Sequence, residues 1–175
     1  MTTLVDKVLA VAAALGGHDV PFAFGGALAL AYATEEPRGT RDIDVNVFVA
    51  PDDVDAVFEA LPALVVHTDA DRRAVVRDEQ VRLFWDDTPV DLFFAAHPMH
   101  HEAASRRRWV DFAGSKIPVL APLDLAVFKA LFDRPKDWVD IETMRDSGTL
   151  DPRAAAEAVE ALLGDDPRVA RLRGM

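Results

Sequence analysis

Residues 42–49, with the sequence DIDVNVFV, alternate polar side chains with β-branched and aromatic ones. This period of two predicts a β-strand with one face in the protein core. Because residues two apart on a strand point to the same face, Asp42 and Asp44 present their carboxylates side by side, roughly 7 Å apart. Two such charges repel each other unless a cation lies between them. The segment therefore predicts a strand that carries a cation-binding site.

The pattern of apolar and turn residues places the other elements along the chain. Before residue 121, the sequence predicts helices at 3–16, 27–34, 52–61 and 98–107, strands at 20–24, 73–77, 81–86 and 89–95, and a hairpin of 109–112 with 116–120. After it, helices are predicted at 123–132, 136–146, 152–163 and 167–172. This order indicates an α+β fold with a small mixed sheet flanked by helices. We expect a core at 1–120 and a helical C-terminal region at 121–175 packed on it.

Charge and composition exclude several classes of protein. The net charge is −11, with 7 basic and 17 acidic side chains in residues 1–96 and 12 and 13 in residues 97–175. Such a surface repels phosphate backbones at long range, which argues against a non-specific nucleic-acid coat protein. The chain has no cysteine and therefore no disulfide. We expect no signal peptide and no membrane anchor, and hence a cytoplasmic protein.

Two further features accompany the carboxylate pair. Gly25 and Gly26 lie between a predicted strand and a predicted helix, where a backbone without Cβ atoms can approach a phosphate and the helix N-terminus offers free N–H groups. Asp91 is the single carboxylate in the apolar strand segment VDLF. A third carboxylate from a neighbouring strand would complete a two-metal site. Such a site holds Mg²⁺ ions and clamps the attacking and leaving oxygens of a phosphoryl displacement.

The order of these motifs resembles the signature of the DNA polymerase β-type nucleotidyltransferase superfamily. That signature is a glycine pair, an Asp-x-Asp between hydrophobic residues, and a third acidic residue on a later strand. The segment RGT at 38–40, directly before the aspartates, is most similar to the AbiEii/AbiGii-like branch, the nucleotidyltransferase toxins of type IV toxin–antitoxin systems. The positions that match the superfamily signature are Gly25, Gly26, Asp42, Asp44 and Asp91.

The second half of the chain resembles the same branch, so that the resemblance covers about residues 20–145. Residues 122–129 match the form Pro-x-Asp-Leu-x-x-x-Lys, and the segment RPKD at 134–137 is followed by Asp140. The resemblance implies that Lys129 contacts the triphosphate and that Lys136, Asp137 and Asp140 support it. From spacing alone, Lys129 with Asp133 and Lys136 with Asp140 are equally well read as surface ion pairs on helices.

The resemblance implies a minimal nucleotidyltransferase fold and a role for each matched residue. Asp42 and Asp44 would hold two Mg²⁺ ions, and Asp91 would help to bind the metal that activates the acceptor hydroxyl. The implied reaction moves an NMP from an NTP to that hydroxyl and releases pyrophosphate, with Asp42, Asp44, Asp91 and Lys129 as catalytic residues. The residues implied to contact the nucleotide are Gly25, Gly26, Arg38, Thr40 and Lys129.

The acceptor is left open by the sequence. For the toxin branch, the resemblance implies an RNA, with tRNA first, and a separate antitoxin protein as partner. A small molecule such as an antibiotic, a protein hydroxyl, and a catalytically silent relative that binds nucleotide or a partner are the alternatives. The one dense basic cluster, residues 106–108, is either a solvated helix end or the place where a phosphate-bearing acceptor docks. We expect Trp85, Trp109 and Trp138 to pack in the core or in a groove.

Overall fold

The computed structural model describes residues 2–37 and 39–175. The α-helices of these residues are α1 (Leu4–Gly17), α2 (Gly26–Thr34), α3 (Val54–Ala60), α4 (Asp69–Asp78), α5 (Met99–Arg106), α6 (Pro122–Phe132), α7 (Pro135–Asp146), α8 (Pro152–Leu163) and α9 (Pro167–Arg173). Their strands are β1 (Phe22–Phe24), β2 (Ile43–Val47), β3 (Val65–Val66), β4 (Gln80–Trp85), β5 (Thr88–Phe94), β6 (Arg108–Phe112) and β7 (Ser115–Val119).

The chain divides into two compact units. The first contains residues 2–28 and 39–120 and includes the described strands, and the second contains residues 29–37 and 121–175 and is helical. None of the helices in the described parts of the chain is both long and apolar enough to cross a bilayer.

The first unit is built on a mixed seven-stranded sheet with the order β3-β4-β5-β2-β1-β7-β6. β1 pairs with β2 in antiparallel and with β7 in parallel orientation, and β2 runs parallel to β5. β1 lies in the middle of the sheet and its three residues are buried, which means that both faces of the sheet are covered at this strand. The predicted α+β class, with a mixed sheet flanked by helices, is therefore confirmed.

One predicted strand is wrong. Residues 73–77 belong to α4, which begins at a capping box: the Thr68 hydroxyl accepts from the Asp71 N–H, and the Asp71 carboxylate accepts from the Thr68 N–H. Only Val75 of this helix is buried. The helix therefore lacks a long apolar stripe, and its short apolar run resembled a strand in sequence. The strand that pairs with β4 here is instead β3, which the sequence analysis did not predict.

A buried lysine ties α1 to the hairpin formed by β4 and β5. Lys7 Nζ donates to the Trp85 carbonyl and to the Thr88 hydroxyl, each at 2.9 Å. The ammonium group also lies 5.8 Å from the centre of the Trp85 ring and 3.5 Å from Asp86 Oδ2. A buried lysine needs such partners because its charge has lost its water. The contact fixes the hairpin that carries Arg82 and Asp91.

The helices of residues 121–175, which make up most of the second unit, each begin at proline. Proline at the first helical position has no N–H to leave unpaired and a backbone angle that suits a helix. Trp138 is the largest side chain fully buried in this unit. Its Nε1 donates to Asp133 Oδ1 at 2.7 Å, and the Arg171 guanidinium lies 4.1 Å from its ring centre. The helix starts are Pro122, Pro135, Pro152 and Pro167.

Candidate active site

Asp44 and Asp91 lie side by side on neighbouring strands. β2 and β5 are parallel, and their register places Asp44 opposite Asp91. Because in-register residues on parallel strands point to the same side, both carboxylates lie on one face of the sheet. Asp91 is only 9% exposed, so its charge needs a partner in the protein or a bound cation.

Asp42, directly before β2, is held in place by Thr40. The Thr40 hydroxyl donates to Asp42 Oδ1 at 2.9 Å, and the Asp42 N–H donates to the same hydroxyl oxygen at 3.3 Å. Burial works against the charged form of Asp42. The Thr40 hydrogen bond, backbone N–H groups and the charge of Arg82 outweigh burial and lower the pKa of Asp42 below its usual value. Asp42 is therefore ionised at neutral pH.

Arg82 on β4 joins the carboxylates, and the sequence analysis missed it. Arg82 Nε and Nη2 donate to the two oxygens of Asp91, each at 2.7 Å, and Nη2 also lies 3.9 Å from Asp42 Oδ2. The hydrogen bonds to Asp91 raise the pKa of Arg82, with smaller effects from the charges of Asp91, Asp42 and Asp44. Arg82 thus brings a positive charge to the carboxylate group, which is the set of Asp42, Asp44 and Asp91.

The sequence did contain a signal for Arg82. β4 and β5 are joined by the two residues Asp86 and Asp87, and a two-residue hairpin fixes which residues face each other. Counting back from this turn pairs Arg82 with Asp91, as the antiparallel register of the two strands shows. The length of the hairpin loop therefore identifies Arg82 as the partner of Asp91, whereas the pattern of glycines and aspartates does not.

The carboxylate group fits a hard divalent cation by charge and by donor type. Its members offer oxygen ligands, which Mg²⁺ prefers, and two of them, Asp91 and Asp42, already lie beside a positive charge. In the described parts of the chain, however, no three carboxylate or imidazole side chains are arranged as a ready metal-ligand cluster. The guanidinium of Arg82 lies between Asp91 and Asp42, where a cation would bind. A metal would therefore have to replace Arg82 as the partner of Asp91.

The glycine pair packs directly against the carboxylate group. Gly26 begins α2 with a φ of +50°, and a Cβ at this position would overlap the Asp44 carboxylate. A Cβ on Gly25 would lie 2.7 Å from Asn46 Nδ2, closer than real contacts allow. Position 26 therefore requires glycine, whereas a side chain at Gly25 would need Asn46 to shift. Phosphate binding by Gly25, Gly26 and Thr40 stays a prediction.

In the second unit, Lys129 is buried within a cluster of ion pairs. Lys129 Nζ lies 2.7 Å from Asp140 Oδ2 and 3.4 Å from Asp137 Oδ1, and Arg134 Nε donates to Asp137 Oδ2 at 2.6 Å. Burial opposes ionisation of Asp137. The hydrogen bond from Arg134 and the charge of Lys129 outweigh burial and lower the pKa of Asp137. Lys129 is therefore a buried residue with two carboxylate partners and not part of a surface ion pair.

Among residues 39–175, the structure shows no salt bridge of Lys136 with the ion pairs around Lys129. Lys136 is exposed at the start of α7, whereas Asp137 and Asp140 face Lys129. Arg38 lies outside the residues that the structure describes. Contacts of Arg38 and Lys129 with nucleotide remain predictions.

Comparison with protein families gives one match that spans nearly the whole chain. The family model described as nucleotidyl transferase AbiEii toxin, type IV TA system, matches residues 7–174. A comparison with curated protein sequences finds no significant match.

Comparison with solved structures finds nucleotidyltransferases. The crystal structure of ANT(2'')-Ia in complex with adenylyl-2''-tobramycin is 16% identical, with a TM-score of 0.61 over 99% of this chain and 98% of that one. The solution structure of the same antibiotic-resistance factor is 17% identical, with a TM-score of 0.58 over 99% and 90%. An antigenic nucleotidyltransferase-like protein from Paracoccidioides brasiliensis aligns at 15% identity with a TM-score of 0.48, over 95% and 90%. At these identities, the first two matches establish a shared fold.

Proposed function

Because this chain belongs to the AbiEii family of nucleotidyltransferase toxins, we propose that it transfers an NMP from an NTP to a hydroxyl group of an RNA, with tRNA as the first candidate. The family makes the chain a nucleotidyltransferase of a toxin–antitoxin type. The observation that carries the proposal is the carboxylate group, in which Asp44 and Asp91 share one sheet face and Asp42 lies near the same guanidinium nitrogen as Asp91.

The carboxylate group is proposed to hold Mg²⁺, with two ions as in the two-metal arrangement. Bound there, the metal supplies charge for the triphosphate and lowers the pKa of the acceptor hydroxyl. Asp42 suits a ligand role because its lowered pKa keeps it ionised. Asp91, once released from Arg82, would be free to accept the proton of the acceptor hydroxyl. Thr40 orients Asp42 and would turn its hydroxyl to the nucleotide only if that hydrogen bond is given up.

Charge balance is the reason to place Lys129 at the triphosphate. An NTP brings about four negative charges, while two Mg²⁺ ions with three carboxylates supply about one positive charge, so a further cation is needed. Asp140 and Asp137 would hold the Lys129 ammonium in position. Gly25 and Gly26 would bring backbone N–H groups to the phosphates, and Arg38 would add a further charge. Lys136 would support this set from the surface.

The core at 1–120 would hold the NTP site, and residues 121–175 would form a separate helical region. An antitoxin protein is the proposed partner, and the cytoplasm, where NTPs and RNA meet, is the proposed location.

A small molecule is the second candidate acceptor. Two of the solved structures with a similar fold are of an antibiotic-resistance factor, one of them in complex with adenylyl-2''-tobramycin. The net charge of −11 would attract a cationic drug more readily than a polyanion. The family match favours RNA, and the acidic surface favours the small molecule. A protein hydroxyl or a catalytically silent role would be supported only by failure of both.

The acceptor is tested by following the label from NTP. Each α-phosphate-labelled NTP is incubated with the protein and Mg²⁺, separately with total cellular RNA, total protein and aminoglycosides. The proposal expects label on RNA, lost when EDTA is added. Label on an aminoglycoside with none on RNA would replace the RNA proposal by the second candidate. Absence of label on all three would favour the silent role.

A further inference from the structure

The basic segment 106–108 begins at the same edge of the sheet as the carboxylate group. β1 runs antiparallel to β2 and parallel to β7, and β6 runs antiparallel to β7. The start of β2, the end of β7 and the start of β6 therefore lie at one edge. The sequence separates Asp44 from this segment by some sixty residues, but the topology places both at that edge.

The register extends this relationship to single residues. The Gly25 N–H donates to the Asp44 carbonyl, and the Leu120 N–H donates to the Phe24 carbonyl. Arg108 pairs with Val119 on β7, so the residue before it, Arg107, follows Leu120 in the same row. Arg107 is thus three strands from Asp44, which is roughly 14 Å at the usual strand spacing.

The alternation of side chains decides which residues of this segment face the same side as the carboxylates. A Cβ on Gly25 would contact the Leu120 side chain at 3.5 Å, which places Leu120 on the face that holds Asp44. Arg107 has extended backbone angles, with φ −52° and ψ 142°. Arg107 and Trp109, two apart, therefore share the carboxylate face, whereas Arg108 points to the opposite face.

Trp109 does not pack in the core, contrary to expectation. It is 58% exposed, whereas Trp85 and Trp138 are 5% and 1% exposed. An exposed indole offers a flat apolar ring with a polar N–H, which suits contact with a ligand or a partner.

The nearby acidic side chains are already paired. Glu102 accepts from Arg106 at 3.1 Å, and Asp111 lies 3.3 Å from Lys116. Among residues 2–37 and 39–175, Arg107 and Arg108 form no salt bridge with a carboxylate. This edge therefore keeps uncompensated positive charge on a protein of net charge −11.

We propose that Arg107 and Trp109 form a docking site for the single-stranded end of the acceptor RNA, with a base stacked on the indole and a phosphate bound by the guanidinium. This proposal rests on the proposed function, in which the acceptor is RNA. Stacking on an exposed aromatic ring beside arginine is how proteins bind single strands. A distance of roughly 14 Å corresponds to about four stacked nucleotides, so the RNA strand would reach from the docking site to the carboxylate group.

The test measures binding without NTP or metal, so that it does not depend on catalysis. Fluorescence anisotropy follows a labelled single-stranded RNA of about 12 nucleotides with wild-type protein and with Trp109→Ala, Trp109→Phe, Arg107→Ala and Arg108→Ala. We expect Trp109→Ala to weaken binding about tenfold and Trp109→Phe to restore most of it, because phenylalanine still stacks. Arg107→Ala should weaken binding and reduce the slope of log affinity against log salt by about 0.7.

Arg108→Ala is the matched control because it removes the same charge from the opposite face. It should change the affinity less than Arg107→Ala does. RNA should also quench the tryptophan fluorescence of the wild type, since the other two indoles are buried. Equal effects of the two arginine variants, unchanged affinity in Trp109→Ala, or no RNA binding by the wild type would each overturn the docking site.

Labelling experiments distinguish failure of the docking site from failure of the proposed function. If wild-type protein, Trp109→Ala and Arg107→Ala all label RNA with the same KM, the acceptor is RNA and the docking site is refuted. If the wild type labels aminoglycosides and not RNA, the proposed function itself fails. Circular dichroism of each variant establishes that it is folded; both side chains are partly or largely exposed, so substitution should not unfold the protein.

Discussion

Arg82 and Asp91 face each other across the β4–β5 hairpin and are joined by two parallel hydrogen bonds of 2.7 Å. The fork of the guanidinium matches the two carboxylate oxygens, which is the strongest geometry available to such a pair. The same nitrogen that binds Asp91 approaches Asp42. A metal ion bound by Asp91 and Asp42 would therefore compete with Arg82 for these carboxylates.

Replacing Arg82 should make the protein less stable without metal and more responsive to metal. In Arg82→Met, Asp91 and Asp42 lose the positive charge of Arg82, so the free energy of unfolding should fall by about 1 kcal/mol, a small value because the guanidinium is half exposed. Mg²⁺ or Mn²⁺ should then bind more tightly, since no cation has to be displaced. Thermal melts with increasing metal measure both effects.

The control for Arg82→Met is Arg77→Met, since Arg77 is exposed on α4 and pairs with Asp78, which does not belong to the carboxylate group. It should leave the metal response unchanged. If Arg82→Met bound metal no better than this control, competition between Arg82 and the metal would be excluded.

Asp44→Asn should abolish transfer while leaving the protein folded. The substitution keeps the volume of the side chain and removes one of three neighbouring negative charges. NMP transfer should fall by at least about a hundredfold if Asp44 holds the metal. Without ligand, stability should be kept or raised, because repulsion within the carboxylate group is relieved. Rates with labelled NTP and thermal melts measure the two effects, and the exposed Asp52→Asn serves as control. A low-melting Asp44→Asn protein with normal turnover would make Asp44 a structural residue.

The sequence predicted the placement of the aspartates but not their partners. Strand alternation is a local property, so Asp44 and Asp91 could each be placed on a strand, and their common face follows from the strand pairing. The partner of Asp91 depends on the hairpin register, which the motif does not encode. The exposure of Trp109 depends on its strand lying at the sheet edge, which no local pattern reveals.

The same limit applies to the second unit. Spacing of four on a helix suggested Asp133 as the partner of Lys129 and Lys136 as the partner of Asp140. Packing of α6 against α7 instead brings Asp140 to Lys129. Ion pairs between helices are set by tertiary packing, so sequence spacing alone favoured neighbours on the same helix.

Alanine should have opposite effects at two glycines of the first unit. Gly26→Ala forces a Cβ into the Asp44 carboxylate at a positive φ, so it should lower the free energy of unfolding by more than about 1 kcal/mol. Gly16→Ala, in α1 with open space around it, should raise stability by about 0.5–1 kcal/mol. Urea denaturation of the three proteins measures both changes. Equal effects at the two sites would mean that Gly26 does not pack against Asp44.

Replacing Lys129 by alanine should lower the stability of the protein, in addition to any effect on NMP transfer. Lys129→Ala takes the ammonium group away from Asp140 and Asp137 and leaves Asp137 with Arg134, so the free energy of unfolding should fall by about 3 kcal/mol. Adding Asp140→Ala should recover part of the loss, with a coupling of about 1–3 kcal/mol in the double-mutant cycle. Urea denaturation measures all four proteins. Additive effects would mean that the pair is not coupled.

Asp137 should make stability fall in acid. Its pKa is lowered in the folded protein, where the Arg134 hydrogen bond and Lys129 outweigh burial. A carboxyl group with a lowered folded-state pKa contributes stability that is fully present above its unfolded value of 3.8 and is lost as the pH falls through the folded value. Wild type should therefore lose part of its advantage over Asp137→Asn as the pH is lowered below about 4. Unfolding free energies of both proteins, measured from neutral pH into this acid range, give the difference curve. A constant difference across the range would show that Asp137 has the same pKa folded and unfolded, and that the Arg134 and Lys129 contacts do not stabilise its charge.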